Sequence, residues 1–153
     1  MWTLAYVAGV FLFVGVFAYA EWRWEAESWA QRFAAPSAEV RARAMSDYSL
    51  RVSRLPHPVP CHSLVLGLSD VPEVRREAMI AVVRVVRSGY CVRNVAELLH
   101  SKAEPSVRIS AARALAFAPP SERAEVVRVL ASSAAEPDSV GTAILEILQA
   151  LRR

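Results

Sequence analysis

The distribution of charged residues divides the chain into a short apolar segment and a long amphipathic one. Residues 1–20 contain no charged side chain, and every charged residue lies after Ala20. A helix rises about 1.5 Å per residue, so a stretch of this length spans roughly the 30 Å hydrocarbon core of a bilayer. A single stretch of this kind satisfies its backbone polar groups in lipid only as a helix. The pattern predicts a single N-terminal transmembrane helix over residues 1–22, followed by a polar domain over residues 23–153.

Two other interpretations of the apolar segment stay open. Ala18-Tyr19-Ala20 before Glu21 has the small-x-small pattern of a signal-peptide cleavage site, although no Lys or Arg precedes the apolar run. The second alternative interpretation is that the apolar segment is a helix buried in the core of the protein. If the segment spans the membrane, its small residues lie at spacings that allow another transmembrane helix to approach closely, with a plain lipid-facing helix as the alternative. These residues are Ala5, Gly9, Gly15 and Ala18.

Basic residues follow the apolar segment, and none precedes it. They begin with Arg23, Arg32, Arg41 and Arg43. The positive-inside rule counts Lys and Arg near the span and therefore places the polar domain in the cytoplasm. A short tail before a hydrophobic start can also leave the large domain on the opposite side. We expect a single-pass protein whose partners are membrane lipid and subunits of an integral membrane protein complex.

The polar domain repeats with a period of 33 or 34 residues. The corresponding positions are Val40, Val74, Val107 and Val140. Arg follows three of these valines, and Ala lies four residues after three of them. Self-similarity at such a period is typical of stacked repeat architectures.

Each repeat unit predicts two helices. The first helices are expected over residues 24–33, 61–68, 91–100 and 121–132. The second helix of the second unit has an apolar stripe at helical spacing that includes Val74, Ala78 and Val82. Pro72, Pro105 and Pro137 mark starts of second helices, where proline is tolerated. Residues 21–32 contain no Gly or Pro, so the first helix is able to continue the apolar segment as one rod.

A Val-Arg-x-x-Ala sequence after an acidic turn that contains proline, repeated at this period, resembles the HEAT-repeat family and its short bacterial relatives. The resemblance covers residues 25–151. It implies an all-α fold in which about four helix pairs form a short α-solenoid, with the second helices on the concave face, and a role in binding proteins rather than in catalysis. Two terminal units depart from the pattern: Gly141 replaces the arginine in the fourth, and the first lacks the proline at its turn.

The chain lacks the motifs of phosphate loops, zinc proteases and dithiol redox sites. We expect no catalytic residue, no cofactor, no metal and no small-molecule substrate. A zinc site from His57, Cys61, His62 and Cys91 has suitable ligand types, but its spacing fits no standard pattern. The net charge is only +3 and no aromatic residues interleave the arginines, which argues against nucleic acid as a partner.

Cys61 and Cys91 each begin a predicted first helix, in adjacent units, so stacking brings them near each other. A disulfide is possible only if their Cα atoms come within about 7 Å and the compartment is oxidising. Because the orientation prediction places the domain in the cytoplasm, we expect free thiols. The two expectations are coupled, since a disulfide reverses the predicted orientation.

Arg41, Arg75 and Arg108 recur in register and are expected to form a row after stacking. One interpretation is a ladder of ion pairs and carbonyl contacts between units. The other is a cationic strip on the concave face that binds an acidic partner. The residues expected to contact a partner are Trp29, Glu73, Arg75, Arg76 and Arg108.

These observations together predict a non-catalytic, membrane-anchored accessory or scaffold subunit of a membrane protein complex. A membrane-tethered adaptor or sensor that recruits soluble proteins transiently is the first alternative. The second, implied by the resemblance, is an enzyme of the HEAT-like lyase type, which attaches a pigment to a carrier protein.

Overall fold

The computed structural model describes residues 2–52, 60–135 and 138–152, with the side chains of residues 2–13 and 22 left aside. These residues form eight α-helices and short 3-10 turns, and they contain no strand, which confirms the predicted all-α fold. The helices are α1 (Trp2–Phe33), α2 (Ala38–Arg51), α3 (Cys61–Leu66), α4 (Pro72–Arg87), α5 (Val92–Glu97), α6 (Pro105–Leu115), α7 (Arg123–Ser133) and α8 (Ser139–Leu151).

The helices pair and stack in the order of the chain. The second helices of the units, α2, α4, α6 and α8, contact one another in sequence and form one layer. The first helices, α1, α3, α5 and α7, contact one another in the same order and form the other layer. Contact mainly between neighbouring units is typical of an α-solenoid.

Proline begins two of the second helices, as the repeat predicts. Pro72 is the first residue of α4 and Pro105 is the first residue of α6. Proline is tolerated there because the N–H groups of the first turn have no partner within the helix. An N-cap begins α8 instead: the Asp138 carboxylate accepts a 2.8 Å hydrogen bond from the Gly141 N–H. Pro137 lies outside the described residues.

Small residues set the distance between the layers. Ala78 and Ala81 on α4 and Ala111 and Ala112 on α6 are fully buried. Gly67 lies in the 3-10 turn after α3, where an added Cβ would be 2.8 Å from both the Ala78 Cβ and the Met45 Cε. A larger side chain at this position therefore requires the turn to move away from α4 and α2.

The first helix continues from the apolar segment into the solenoid without a break, as the absence of Gly and Pro predicted. Its C-terminal end packs on α2 through three aromatic rings. The ring centroid of Tyr48 lies 5.2 Å from that of Trp29 and 5.4 Å from that of Phe33. Edge-on ring contacts of this kind stabilise the junction.

The predicted transmembrane segment falls largely on residues 2–13, whose side chains are outside the description. In the part of the chain that the structure does describe, no helix combines the length and the hydropathy of a membrane span.

Candidate protein-binding surface

Arg41 on α2 joins the first unit to the second. Its Nε donates to Oδ2 of Asp70 at 2.6 Å, and its Nη2 donates to Oδ1 at 2.7 Å. Its Nη1 donates to the carbonyl oxygens of Ala35 and Pro36. The hydrogen bond from Arg41 is the main reason that the pKa of Asp70 is lowered, and the same bond raises the pKa of Arg41. Four of the five N–H groups of this guanidinium therefore donate hydrogen bonds within the fold.

Arg75 on α4 joins the second unit to the third. Its Nη2 donates to the carbonyl oxygen of Asp70 at 3.1 Å and lies 4.0 Å from the carboxylate of Glu104. Its Nη1 donates to Oγ of Ser106 at 3.3 Å. The buried Nε of Arg75 has no hydrogen-bond partner within the described residues.

Arg108 on α6 joins the third unit to the fourth. Its Nε donates to the carbonyl oxygen of Leu99 at 2.9 Å, and its Nη1 lies 3.8 Å from the carboxylate of Asp138, the residue that caps α8. Each arginine of the row therefore contacts the turn before the next second helix. These contacts match the first interpretation of the three arginines, a ladder of ion pairs and carbonyl contacts between units, and not the second, a cationic strip that binds an acidic partner.

The structure buries two of the five residues expected to contact a partner. Trp29 is 5% exposed, because it packs on Phe33 and Tyr48 while the Arg32 guanidinium covers its ring at 4.4 Å. Arg108 is 9% exposed, and its contacts with the Leu99 carbonyl oxygen and the Asp138 carboxylate are directed into the stack. The expectation of surface contact does not fit these two side chains.

The other three expected contact residues lie on α4 and stay candidates. Glu73 and Arg76 are exposed, and Arg75 is half-buried in the ladder. Glu73 and Glu77 border a groove of about 520 Å³ between α2 and α4, together with Glu39 and Arg43. The groove is therefore predominantly acidic at the start of both helices.

A second hollow on the same layer, which sequence analysis missed, lies between α4 and Phe117 in the turn that follows α6. It has a volume of about 310 Å³ and is lined by Met79, Ile80, Val83, Arg84, Arg87 and Phe117. We refer to the hollow that these six residues line as the α4–α6 hollow. Ile80 was overlooked because it lies off the stripe formed by Val74, Ala78 and Val82.

The expectations for the membrane helix lie at the edge of what the structure describes. The side chain of Ala5 and the surroundings of Gly9 are outside the description. A Cβ added at Gly15 would meet no atom within 4 Å, and Ala18 is exposed. Packing of another helix against this segment stays a prediction.

Cys61 and Cys91 form a disulfide, so the expectation of free thiols is wrong. Cys61 is the first residue of α3 and Cys91 is the N-cap of α5. The stacking of adjacent units brings their Cα atoms to 5.3 Å, well within bonding range. Cys91 adopts a left-handed backbone conformation with φ of 58°. Among the described residues no His, Cys, Asp and Glu side chains form a group that would hold a metal ion, and His57 lies outside them.

No family model, curated protein or solved structure matches this chain significantly. The resemblance to the HEAT-repeat family therefore stays a prediction from the repeat.

Proposed function

We propose that this chain is a membrane-anchored α-solenoid that serves as a non-catalytic accessory or scaffold subunit of a membrane protein complex. The observation that carries the proposal is α1, a single helix that joins the aromatic core at Trp29 to the uncharged residues 2–20. Its described apolar side chains outside the solenoid are exposed, among them Val14, Val16 and Phe17. Exposed apolar surface of this kind is characteristic of contact with lipid or with another protein.

The solenoid is suited to binding proteins because its surface side chains project from packed helices. The backbone of packed helices is already ordered, so binding a partner costs little backbone ordering and more of the contact energy appears as affinity. The acidic groove and the α4–α6 hollow lie side by side on the α2–α4–α6 layer. This layer is where we propose that the polar domains of other subunits bind.

The disulfide supports an orientation opposite to the one that the arginines predicted. Disulfides persist in oxidising compartments and are rare in the cytosol. We propose that the solenoid lies on the oxidising side of the membrane and that α1 enters the membrane from there. The positive-inside rule opposes this orientation through Arg23, Arg32, Arg41 and Arg43, but a short tail before a hydrophobic start allows it.

Purification in mild detergent tests the proposal. A scaffold subunit is expected to copurify with integral membrane proteins at a fixed stoichiometry that survives washing. A transient adaptor, the first alternative, is expected to wash off. Gly9→Leu and Gly15→Leu are expected to weaken the complex if this face of α1 packs on another helix. Recovery of the chain as a water-soluble species without partners would contradict the proposal.

Single-cysteine labelling tests the orientation. Arg93 is highly exposed on α5, so Arg93→Cys in a Cys61→Ser/Cys91→Ser background provides one accessible thiol. A membrane-impermeant maleimide is expected to label this thiol in cells whose outer envelope has been permeabilised while the membrane that holds α1 stays intact. Labelling only after lysis would place the solenoid in the cytoplasm and leave the disulfide unexplained.

The lyase-type enzyme stays the alternative from a different functional class. Such an enzyme requires an enclosed pocket with a titratable group of shifted pKa. Glu125, whose pKa is lowered by its hydrogen bond with Arg128, borders a surface hollow of about 490 Å³ between α5 and α7. This group belongs to an exposed ion pair within one helix, which favours the binding function over catalysis.

A further inference from the structure

The α4–α6 hollow combines an apolar floor with a cationic rim. Met79 and Val83 form the half-buried floor, while Ile80 and Phe117 are 41% and 45% exposed. Arg84 and Arg87 follow on the same side of α4, one and two turns after Ile80. No acidic side chain lines the hollow, in contrast to the neighbouring groove between α2 and α4.

Both arginines of the rim are held in position without an ion pair. Nη1 of Arg84 donates to the carbonyl oxygen of Ser49 on α2 at 2.6 Å. The guanidinium of Arg87 lies 5.4 Å from the centroid of the Phe117 ring. The described part of the chain supplies neither with a carboxylate within 4 Å, whereas Arg41, Arg75 and Arg108 all have an acidic neighbour.

We infer that the α4–α6 hollow binds an acidic segment of a protein partner. An apolar side chain of that segment packs on Ile80 and Phe117, and a nearby carboxylate accepts hydrogen bonds from Arg84 and Arg87. The inference rests on the proposed protein-binding function and specifies the chemistry of the partner.

The size and chemistry of the hollow favour this occupant. A volume of about 310 Å³ lies at the lower end of the range typical of ligand pockets, which suits a small number of side chains. A guanidinium matches the planar geometry of a carboxylate and forms charge-assisted hydrogen bonds with it. Binding hot spots are also enriched in arginine, and Arg84 and Arg87 both line this hollow. The cationic rim disfavours a basic segment by like-charge repulsion.

Photo-crosslinking in native membranes tests the inference. Ile80 is replaced by p-benzoylphenylalanine in the full-length chain, and the crosslinked peptide is identified by mass spectrometry. The expected peptide comes from another protein and has Asp or Glu within about four residues of the crosslinked position, which is one helical turn. Arg84→Glu/Arg87→Glu is expected to lower the crosslinking yield about tenfold or more, because it places carboxylates opposite each other.

Two further variants separate the loss of binding from the loss of folding. Arg87→Gln alone keeps the Arg84–Ser49 hydrogen bond and removes the charge without placing an acidic side chain in the last turn of α4, so it is expected to lower the yield with little change in the unfolding midpoint. Arg93→Glu/Arg128→Glu makes the same charge change as Arg84→Glu/Arg87→Glu on exposed residues of α5 and α7 and is expected to leave the yield unchanged.

Several results would overturn the inference. They are an equal yield after reversal of Arg84 and Arg87, a crosslinked peptide without acidic residues, crosslinking only to lipid or to a second copy of this chain, and no crosslink at all. If the chain nevertheless copurifies with a membrane complex, the proposed function stands and only the assignment of this hollow fails. If the chain copurifies with nothing, the proposed function fails as well.

Discussion

Asp70 accepts hydrogen bonds from the Arg41 guanidinium and from the backbone N–H of Val71. One carboxylate therefore closes the turn before α4 and holds the first unit against the second. The side chains of Arg41 and Asp70 are 17% and 20% exposed, so solvent screens the pair less than an ion pair on the open surface. This relationship gives the stability of the solenoid a dependence on pH.

We predict that part of the stability is lost in acid through Asp70. Its pKa in the folded state is lowered, chiefly by Arg41, so the ionised form is favoured by folding. The contribution is present above the pKa of an unfolded Asp, about 4, and is lost as the pH falls through the lower folded pKa. Asp70→Asn is expected to cost on the order of 1 kcal/mol at pH 7. Urea unfolding of the full chain in detergent, followed by circular dichroism, measures the difference.

The difference between the wild type and Asp70→Asn should shrink as the pH falls below about 4. A constant difference from pH 7 to pH 3 would show that the effect is not the ionisation of Asp70. Glu125→Gln provides the control. The pKa of Glu125 is also lowered, by Arg128. Because this pair is exposed and screened by solvent, it contributes little to the stability of the fold.

We predict that the disulfide contributes strongly to stability. Cys61 and Cys91 are separated by 30 residues in sequence, and closing a loop of this length lowers the entropy of the unfolded chain by an amount equivalent to about 3–4 kcal/mol. The Cys61→Ser/Cys91→Ser variant and the chemically reduced wild type should unfold at the same, lower urea concentration. Identical midpoints for the oxidised and reduced wild type would contradict the prediction.

We predict that Gly67→Ala destabilises the solenoid by about 1–3 kcal/mol through overpacking. The added methyl group meets Ala78 on α4 and Met45 on α2 at 2.8 Å, and the Ala78 methyl has no rotamer with which to move aside. Thermal unfolding measures the loss. Gly15→Ala is the matched control, because a Cβ there has open space and should leave the transition of the solenoid unchanged. Equal effects of the two substitutions would exclude the close approach at Gly67.

We predict that Arg108→Ala lowers the free energy of unfolding by about 1–3 kcal/mol, because it leaves the carbonyl oxygen of Leu99 without its hydrogen bond. Arg76→Ala, an exposed change on α4, should stay within about 0.5 kcal/mol. A variant that loses its partner in detergent pull-downs while keeping full stability would instead assign Arg108 to a binding strip.

The arrangement of helices was predictable because the same local chemistry recurs in each unit. Pro72 and Pro105 begin second helices in the structure for the reason that applied in the sequence, and the valine period located each pair. The absence of Gly and Pro between residues 21 and 32 also predicted the continuity of α1.

The contacts between units were not predictable, because they depend on how the pairs stack. Arg41 and Asp70 are separated by 29 residues, and no local pattern links them. The pairing of Cys61 with Cys91 depends on a Cα distance that only the stack sets. The burial of Trp29 was not predictable either, because it depends on contact with Tyr48 in the next helix. Ile80 and Phe117 border one hollow only because α4 and α6 are adjacent.

The continuity of α1 has a mechanical consequence. A straight helix of 32 residues is about 48 Å long, and the one that begins this chain has neither glycine nor proline between the apolar segment and the aromatic junction with α2. No glycine or proline hinge therefore separates the apolar segment from the aromatic junction. Any angular displacement of the N-terminal half of α1 reorients the whole stack of helices. The displacement of a residue increases with its distance from the point about which α1 rotates.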